Sequence, residues 1–330
     1  MKIFRQSLLI VSAFIVLCAV SRIAVAAETP AAAKTVRLFT VGNSFSQNAT
    51  KYLADIAAAA GDKLIQGRAV IGGSSPEVHW TRIQKNEKDP IDPAGLYGDS
   101  ANPKSPKRGL KALLESDKWD YVTIQQASIK SHDLANYRPH AKLLHDYIKQ
   151  HGPDAKVIVH QTWAYRVDDP RFLKPPSKST GPKPGEPKSQ AEMYEGLTNA
   201  YRTIAAELGC DVIPVGDAFY LADTDPQWGY KIDTKFDRAT AEPPMLPNQT
   251  HSLHVGWYWT KPPKKQVLAI DGHHANTAGE YLGACVFYET LFGKSVVDNT
   301  FVPKGLSADE AKYLRGVAHR AVEQERQRKK

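Results

Sequence analysis

The sequence predicts an α/β domain built on a parallel sheet with helices on both faces, and three observations carry that prediction. Short apolar, β-branched runs end in turn residues and pass into helical periodicity, and this strand, turn, helix order recurs five times at short spacing. The chain of 330 residues is long enough for one sizeable core and long for one plain domain, so insertions are expected. No internal repeat offers a solenoid or propeller instead.

Residues 1–26 read as a cleavable signal peptide. Lys2 and Arg5 form a basic start, residues 7–20 an apolar run too short to span a bilayer comfortably, and Ala24-Val25-Ala26 a small-residue cleavage site. The expectation is a secreted or periplasmic chain. Leu17 before Cys18 is too large for a lipoprotein cleavage box, and no later apolar stretch approaches membrane-spanning length. Removing Lys2, Arg5 and Arg22 lowers the formal charge from +8 to +5, and much of the excess lies in loops and in the tail Arg326-Gln327-Arg328-Lys329-Lys330. Such mild basicity is a solvated surface, or it favours an anionic glycan or cell envelope. No interleaving of aromatic and basic residues points to nucleic acid. Cys210 and Cys285 alone survive cleavage, and two cysteines are no scaffold: they are free thiols or one bridge.

The main domain is read over residues 27–306. Residues 36–41 form the first strand, Gly42 and Asn43 the turn, and residues 49–60 a helix with Tyr52, Leu53 and Ile56 on its packed side. Residues 64–71 are the second strand, which runs into Gly72-Gly73-Ser74-Ser75; a short helix over 76–85 carries His79 and Trp80. Residues 89–107 read as an irregular surface loop. A helix over 109–116 leads to the third strand, 119–124, which ends at Gln125-Gln126. A helix over 134–150 and a fourth strand over 155–160 follow, with Trp163 just beyond, where open parallel sheets bind ligands. Core packing explains Trp163 equally. Residues 166–189, crowded with proline, are a first insertion; a helix over 190–208 and a fifth strand over 211–215 precede a second, residues 222–265. That second insertion holds Trp228, Tyr230, Trp257, Tyr258 and Trp259, aromatics that suit the faces of sugar rings or pack the insertion onto itself. Residues 276–292 form a helix, and Ser307-Ala308-Asp309-Glu310 is a capping box opening a C-terminal helix and basic tail over 307–330.

Ser44 therefore sits on a tight strand-to-helix turn, with its hydroxyl outward at the carboxyl edge of a sheet. Serine is a poor nucleophile unless a base reaches it and a third group orients that base. Asp271 and His274, three residues apart before a helix, meet these needs on one turn, with His273 facing elsewhere.

The Gly42-Asn43-Ser44 turn, paired in order with Asp271-Gly272-His273-His274, resembles the SGNH/GDSL hydrolase superfamily over about residues 35–294. The resemblance implies a flavodoxin-like three-layer α/β/α sandwich with about five parallel strands. It implies Ser44 as nucleophile, His274 as base and Asp271 as its orienting carboxylate. Backbone N–H groups of Ser44 and Gly73, with Gly72 the alternative, would hold the oxyanion; Gly-Gly is also a common plain turn. The superfamily's third strand ends in Gly-x-Asn-Asp, whose asparagine is missing here, so Gln125, or else Gln126, would donate in its place. His79, Trp80, Trp163, Trp257 and Trp259 are the candidate substrate-binding residues. The expected function is a secreted serine esterase acting on acyl, above all acetyl, esters of carbohydrate, with no cofactor. A non-catalytic carbohydrate-binding protein, an acyltransferase or a lipase-like esterase are the alternatives. A metal site drawn from Asp271, His273, His274 and His79 has the ligand types but lacks paired-histidine spacing.

Overall fold

A computed structural model describes residues 32–98, 104–172, 185–263 and 265–328, so the segment read as a signal peptide lies outside the described residues. β1 (Thr35–Gly42), β2 (Lys63–Val70), β3 (Tyr121–Ile124), β4 (Lys156–His160) and β5 (Asp211–Ile213) form one parallel sheet in the order β2-β1-β3-β4-β5. β1 is buried along almost its whole length, as a strand covered on both faces must be, which explains the continuous apolar run in its sequence. The order is that of flavodoxin-like sheets, in which the topological switch point, where ligands bind, falls between β1 and β3.

Helices flank the sheet. α1 (Ser44–Ala49), α2 (Leu53–Ala59), α7 (Val215–Asp223) and α9 (Ala308–Gln327) gather around α8 (Thr277–Phe292), while α3 (Pro76–Lys88), α4 (Leu110–Leu114) and α6 (Gln190–Leu208) pack against α5 (His140–His151). Fourteen residues of α8 are buried, so it is the central helix of its layer and has no polar stripe.

Three elements differ from expectation. The helix expected over 49–60 begins at Ser44 and is interrupted after Ala49, because the Thr50 hydroxyl bonds the Ser46 carbonyl at 2.8 Å and competes with the helical ladder. The helix expected over 134–150 splits into a 3₁₀ turn, Leu134–Tyr137, and α5, since Pro139 has no N–H and restricts the residue before it. The second insertion contributes β6 (His254–Trp259), which pairs antiparallel with β7 (Leu268–Ala275). Asp271 and His274 thus lie on a strand rather than on a free turn, and Asn276 caps α8. Cys210 and Cys285 are both free thiols.

The insertion's aromatic residues hold it to the domain. Trp228 stacks on Tyr313 of α9 with centroids 4.8 Å apart and Tyr230 lies under the Arg166 guanidinium at 4.3 Å, while the Trp259 indole N–H donates to the Met245 carbonyl at 2.8 Å within the insertion itself.

Candidate active site

Asn43 places Ser44. Its extended backbone ends β1, and its side-chain oxygen accepts from the Phe45 N–H at 2.9 Å, so the helix starts at Ser44 itself. The same side chain donates to the Ser74 carbonyl at 2.9 Å and accepts from the Gln125 amide at 2.7 Å. One buried asparagine thereby ties together the carboxyl ends of β1, β2 and β3. As the first residue of α1, Ser44 keeps an N–H that the helical ladder does not use.

His274 arrives from β7. Gly256 pairs with Asp271 and His254 with Ala275, so Gly272, His273 and His274 stand opposite Val255 alone. A regular strand would send side chains three apart to opposite faces, and this bulge turns Asp271 and His274 to the same side. Ser44 Oγ lies 2.9 Å from His274 Nε2, and His274 Nδ1 lies 2.8 Å from Asp271 Oδ2. Asp271 Oδ1 accepts from the His274 backbone N–H at 2.9 Å and the His273 N–H at 3.2 Å. Burial would raise the Asp271 carboxyl, but hydrogen bonds from the His274 ring and backbone and the nearby imidazoles outweigh it and hold the group well below the usual carboxylate range. His273 is near the same carboxylate, with Nδ1 3.1 Å from Asp271 Oδ1, and packs against Tyr165; its burial lowers its basicity.

Residues of the segment that follows β4 hold this strand in place. The Arg166 N–H donates to the Gly272 carbonyl at 2.7 Å, and the Trp163 indole donates to the His273 carbonyl at 2.9 Å. Gly272 has no room for a side chain, since a Cβ there would come within 2.5 Å of Asp169 Oδ2. The Arg166 guanidinium, 1% exposed, makes two hydrogen bonds to the Asp168 carboxylate at 2.6 and 2.9 Å, and that carboxylate also accepts from Tyr230 and the Trp257 indole. The sequence signal was present in Arg166, Asp168 and Asp169, three charges crowded just beyond a buried strand.

Several expected contacts are placed elsewhere. Gln125 is buried, its amide N donating to Asn43 and its oxygen accepting from His160 Nδ1 at 3.0 Å, so it belongs to the frame beneath Ser44. Gln126 is likewise buried and donates to the Asn136 carbonyl at 2.9 Å. His79 is 1% exposed, bonded to Ser74 Oγ at 2.8 Å and Tyr97 OH at 3.0 Å, and cannot touch a substrate. Trp163 is fully buried, stacked between Phe45 at 4.3 Å and Phe219 at 4.4 Å; the core claimed it because α1 and α7 both close over the end of β4. Trp80 packs edge-on against Tyr147. Trp257 lines a cavity of about 260 Å³ with Asp168 and Arg238, and Trp259 is partly exposed on β6. Gly73 is exposed at φ +66°, a conformation glycine adopts without strain.

Ligand atoms of Asp271, His273 and His274 lie within 4.8 Å of one another, as do those of Glu289, His319 and Glu323 between α8 and α9. In the first group a metal ion would have to displace the hydrogen bond between His274 and Asp271; His79 is in neither. Ser44, His274 and Asp271 do not line the cavity of about 540 Å³ that borders α1 at Gln47. A nucleophile, a base and an orienting carboxylate in one hydrogen-bonded chain can perform acyl transfer.

Residues 37–243 match a family described as a domain of unknown function, DUF4886. A DUF4886 family protein from Bacteroides uniformis ATCC 8492 is similar in structure, with a TM-score of 0.63 and 26% identity, over 87% of this chain and 95% of that one. The lipopolysaccharide acetyltransferase periplasmic domain of Salmonella ser. Paratyphi A gives a TM-score of 0.40 at 13% identity, over 78% and 82% of the two chains. Phospholipase A1 from Streptomyces albidoflavus NA297 gives 0.38 at 13%, over 78% and 99%. At these last scores the likeness bears on neither chemistry nor substrate. No curated protein matches the chain.

Proposed function

The chain belongs to the DUF4886 family, and we propose that it is a serine ester hydrolase of the SGNH/GDSL kind. The observation that carries the proposal is the continuous chain from Ser44 Oγ through His274 to Asp271, with links of 2.9 and 2.8 Å. Ser44 Oγ attacks the ester carbonyl carbon while His274 Nε2 takes its proton. Asp271 holds the ring with Nδ1–H toward itself and stabilises the imidazolium. The N–H groups of Ser44 and Gly73 receive the developing oxyanion. His274 then returns the proton to the leaving alcohol, and a water activated by the same ring releases the acid from Ser44.

The acyl group is acetyl and the alcohol a carbohydrate hydroxyl in this proposal. Support comes from partly exposed Trp257 and Trp259 on β6, the strand paired with the one bearing His274. The export signal read in residues 1–26 would bring the chain to extracytoplasmic glycans. The test is acetate release from a small acetyl ester and from acetylated polysaccharide. Ser44→Ala is expected to lower both by about 10³-fold or more with the fold unchanged. Wild-type activity in that variant would remove the nucleophile and the proposal with it.

A further inference from the structure

The leaving group of the proposed reaction has a defined place. His274 Nε2, 2.9 Å from Ser44 Oγ, hands its proton to the departing alcohol, so the alcohol oxygen lies on the imidazole side of Ser44 while the carbonyl oxygen turns toward the Ser44 and Gly73 N–H groups. A row of contacts leads from that imidazole to a cation. The His273 ring follows His274 with centroids 4.3 Å apart, Tyr165 lies 5.4 Å from His273, and the Arg171 guanidinium stands 5.2 Å from the Tyr165 ring. Arg171 is also close enough to His273 for its charge to add to burial in lowering that imidazole.

The guanidinium is open to an anion. Arg171 is exposed, its Nη1 donates to the Tyr165 hydroxyl at 3.4 Å, and it makes no ion pair among the described residues. The nearby Asp169 carboxylate is buried, and its Oδ1 accepts from the Arg171 backbone N–H at 3.0 Å rather than from the side chain. A guanidinium stacked on a ring keeps its outer N–H groups in the fork that matches a carboxylate. Ser128 Oγ meets the same Tyr165 hydroxyl at 2.9 Å, so two hydroxyls and a guanidinium converge at one point. The links between Ser44, His274 and Asp271 use none of the three.

We infer that Arg171, with the Ser128 and Tyr165 hydroxyls, forms a subsite for an anionic group on the alcohol side of the substrate, so that the ester cleaved at Ser44 is one of an acidic carbohydrate. The inference rests on the esterase reading. It adds the charge of the leaving alcohol, which a triad by itself does not select.

The test is acetate release from ω-acetoxyhexanoate and from its methyl ester, two acetyl esters with the same reacting centre that differ in a distant charge. The wild-type chain is expected to have the higher kcat/KM on the anionic ester, and Arg171→Gln to lose about tenfold more on it than on the methyl ester, mainly through a higher KM. Arg171→Lys is expected to restore part of the preference, since the charge returns without the fork. Salt is expected to erode the preference in the wild-type chain more than in Arg171→Gln, because an exposed guanidinium is screened. Arg171 is exposed, so its replacement leaves the core intact. Equal losses on both esters would make Arg171 a prop for Tyr165, and no loss on either would make it idle; each result overturns the inference and keeps the esterase reading. Hydrolysis of neither ester by the wild-type chain would remove the esterase reading and the inference with it.

Discussion

His273 and His274 both approach Asp271, and hydrogen bonding separates their roles. Only His274 has one ring nitrogen on the carboxylate and the other on Ser44; His273 meets Asp271 at 3.1 Å and otherwise packs on Tyr165. His274→Ala is therefore expected to cost nearly as much turnover as loss of Ser44, because members of such a chain act as a unit, whereas His273→Ala costs far less. Steady-state rates of the two variants on a small acetyl ester check this, and the opposite ranking would make His273 the base. Asp271 stays ionised through the mildly acidic range, since its hydrogen bonds hold it low, so loss of activity there would not arise from this carboxyl.

At the scale of elements, the antiparallel pair β6 and β7 is attached to the parallel sheet through the segment that follows β4. Arg166 anchors it by a backbone bond to Gly272 and by a buried guanidinium that Asp168, Gln249 and Ser252 all contact. Removing Asp168 leaves that guanidinium buried beside two neutral acceptors. Asp168→Ala is expected to destabilise the fold by about 3–5 kcal/mol, and the tyrosine and tryptophan that donate to Asp168 lose their acceptor too. Urea denaturation measures it, and an unchanged midpoint would mean that Arg166 is held by other contacts. The same elements separate what a local sequence pattern records from what only tertiary contacts decide. Strand, turn and helix order exposed the parallel sheet because each strand is a local apolar run between turn residues. Ser44, Asp271 and His274 stood out because a strand-to-helix serine and a carboxylate three residues before a histidine are local patterns. Gln125, His79 and Trp163 looked like site residues because strand ends face ligands, yet each is buried. Their partners, Asn43, Tyr97 and Phe219, are 82, 18 and 56 residues away or more in the chain, and no local period records such contacts. The bulge in β7 was invisible for the same reason: it exists only against β6.

For the whole molecule, three fully buried neutral histidines set the response to acid. Burial lowers His79 to about 4 and His160 and His254 to about 3. The unfolded chain takes up these protons near pH ~6.5, so it binds more protons than the folded one below that value, and stability falls as pH falls from there toward about 4 for His79 and about 3 for the others. Asp223, pushed up by burial to about 7, and Asp169, also raised by burial, act in the opposite direction by keeping protons that the unfolded chain releases. The three histidines outweigh the two carboxyls, so stability falls on acidification between about pH 6 and 5. Thermal unfolding across that interval checks the sign; a rising melting temperature on acidification would show that the carboxyls dominate.

Ser44 is an activated nucleophile only if His274 takes its proton; a serine that merely opens a helix has no such reactivity. The most direct measurement is the intact mass of the chain after exposure to a small organophosphonate, which esterifies a serine only where a base removes its proton. The wild-type chain is expected to gain one phosphonyl group, mapped by peptide digestion to Ser44, while Ser44→Ala gains none and His274→Ala reacts far more slowly. An unmodified wild-type chain, or a label on another residue that persists in Ser44→Ala, would contradict it.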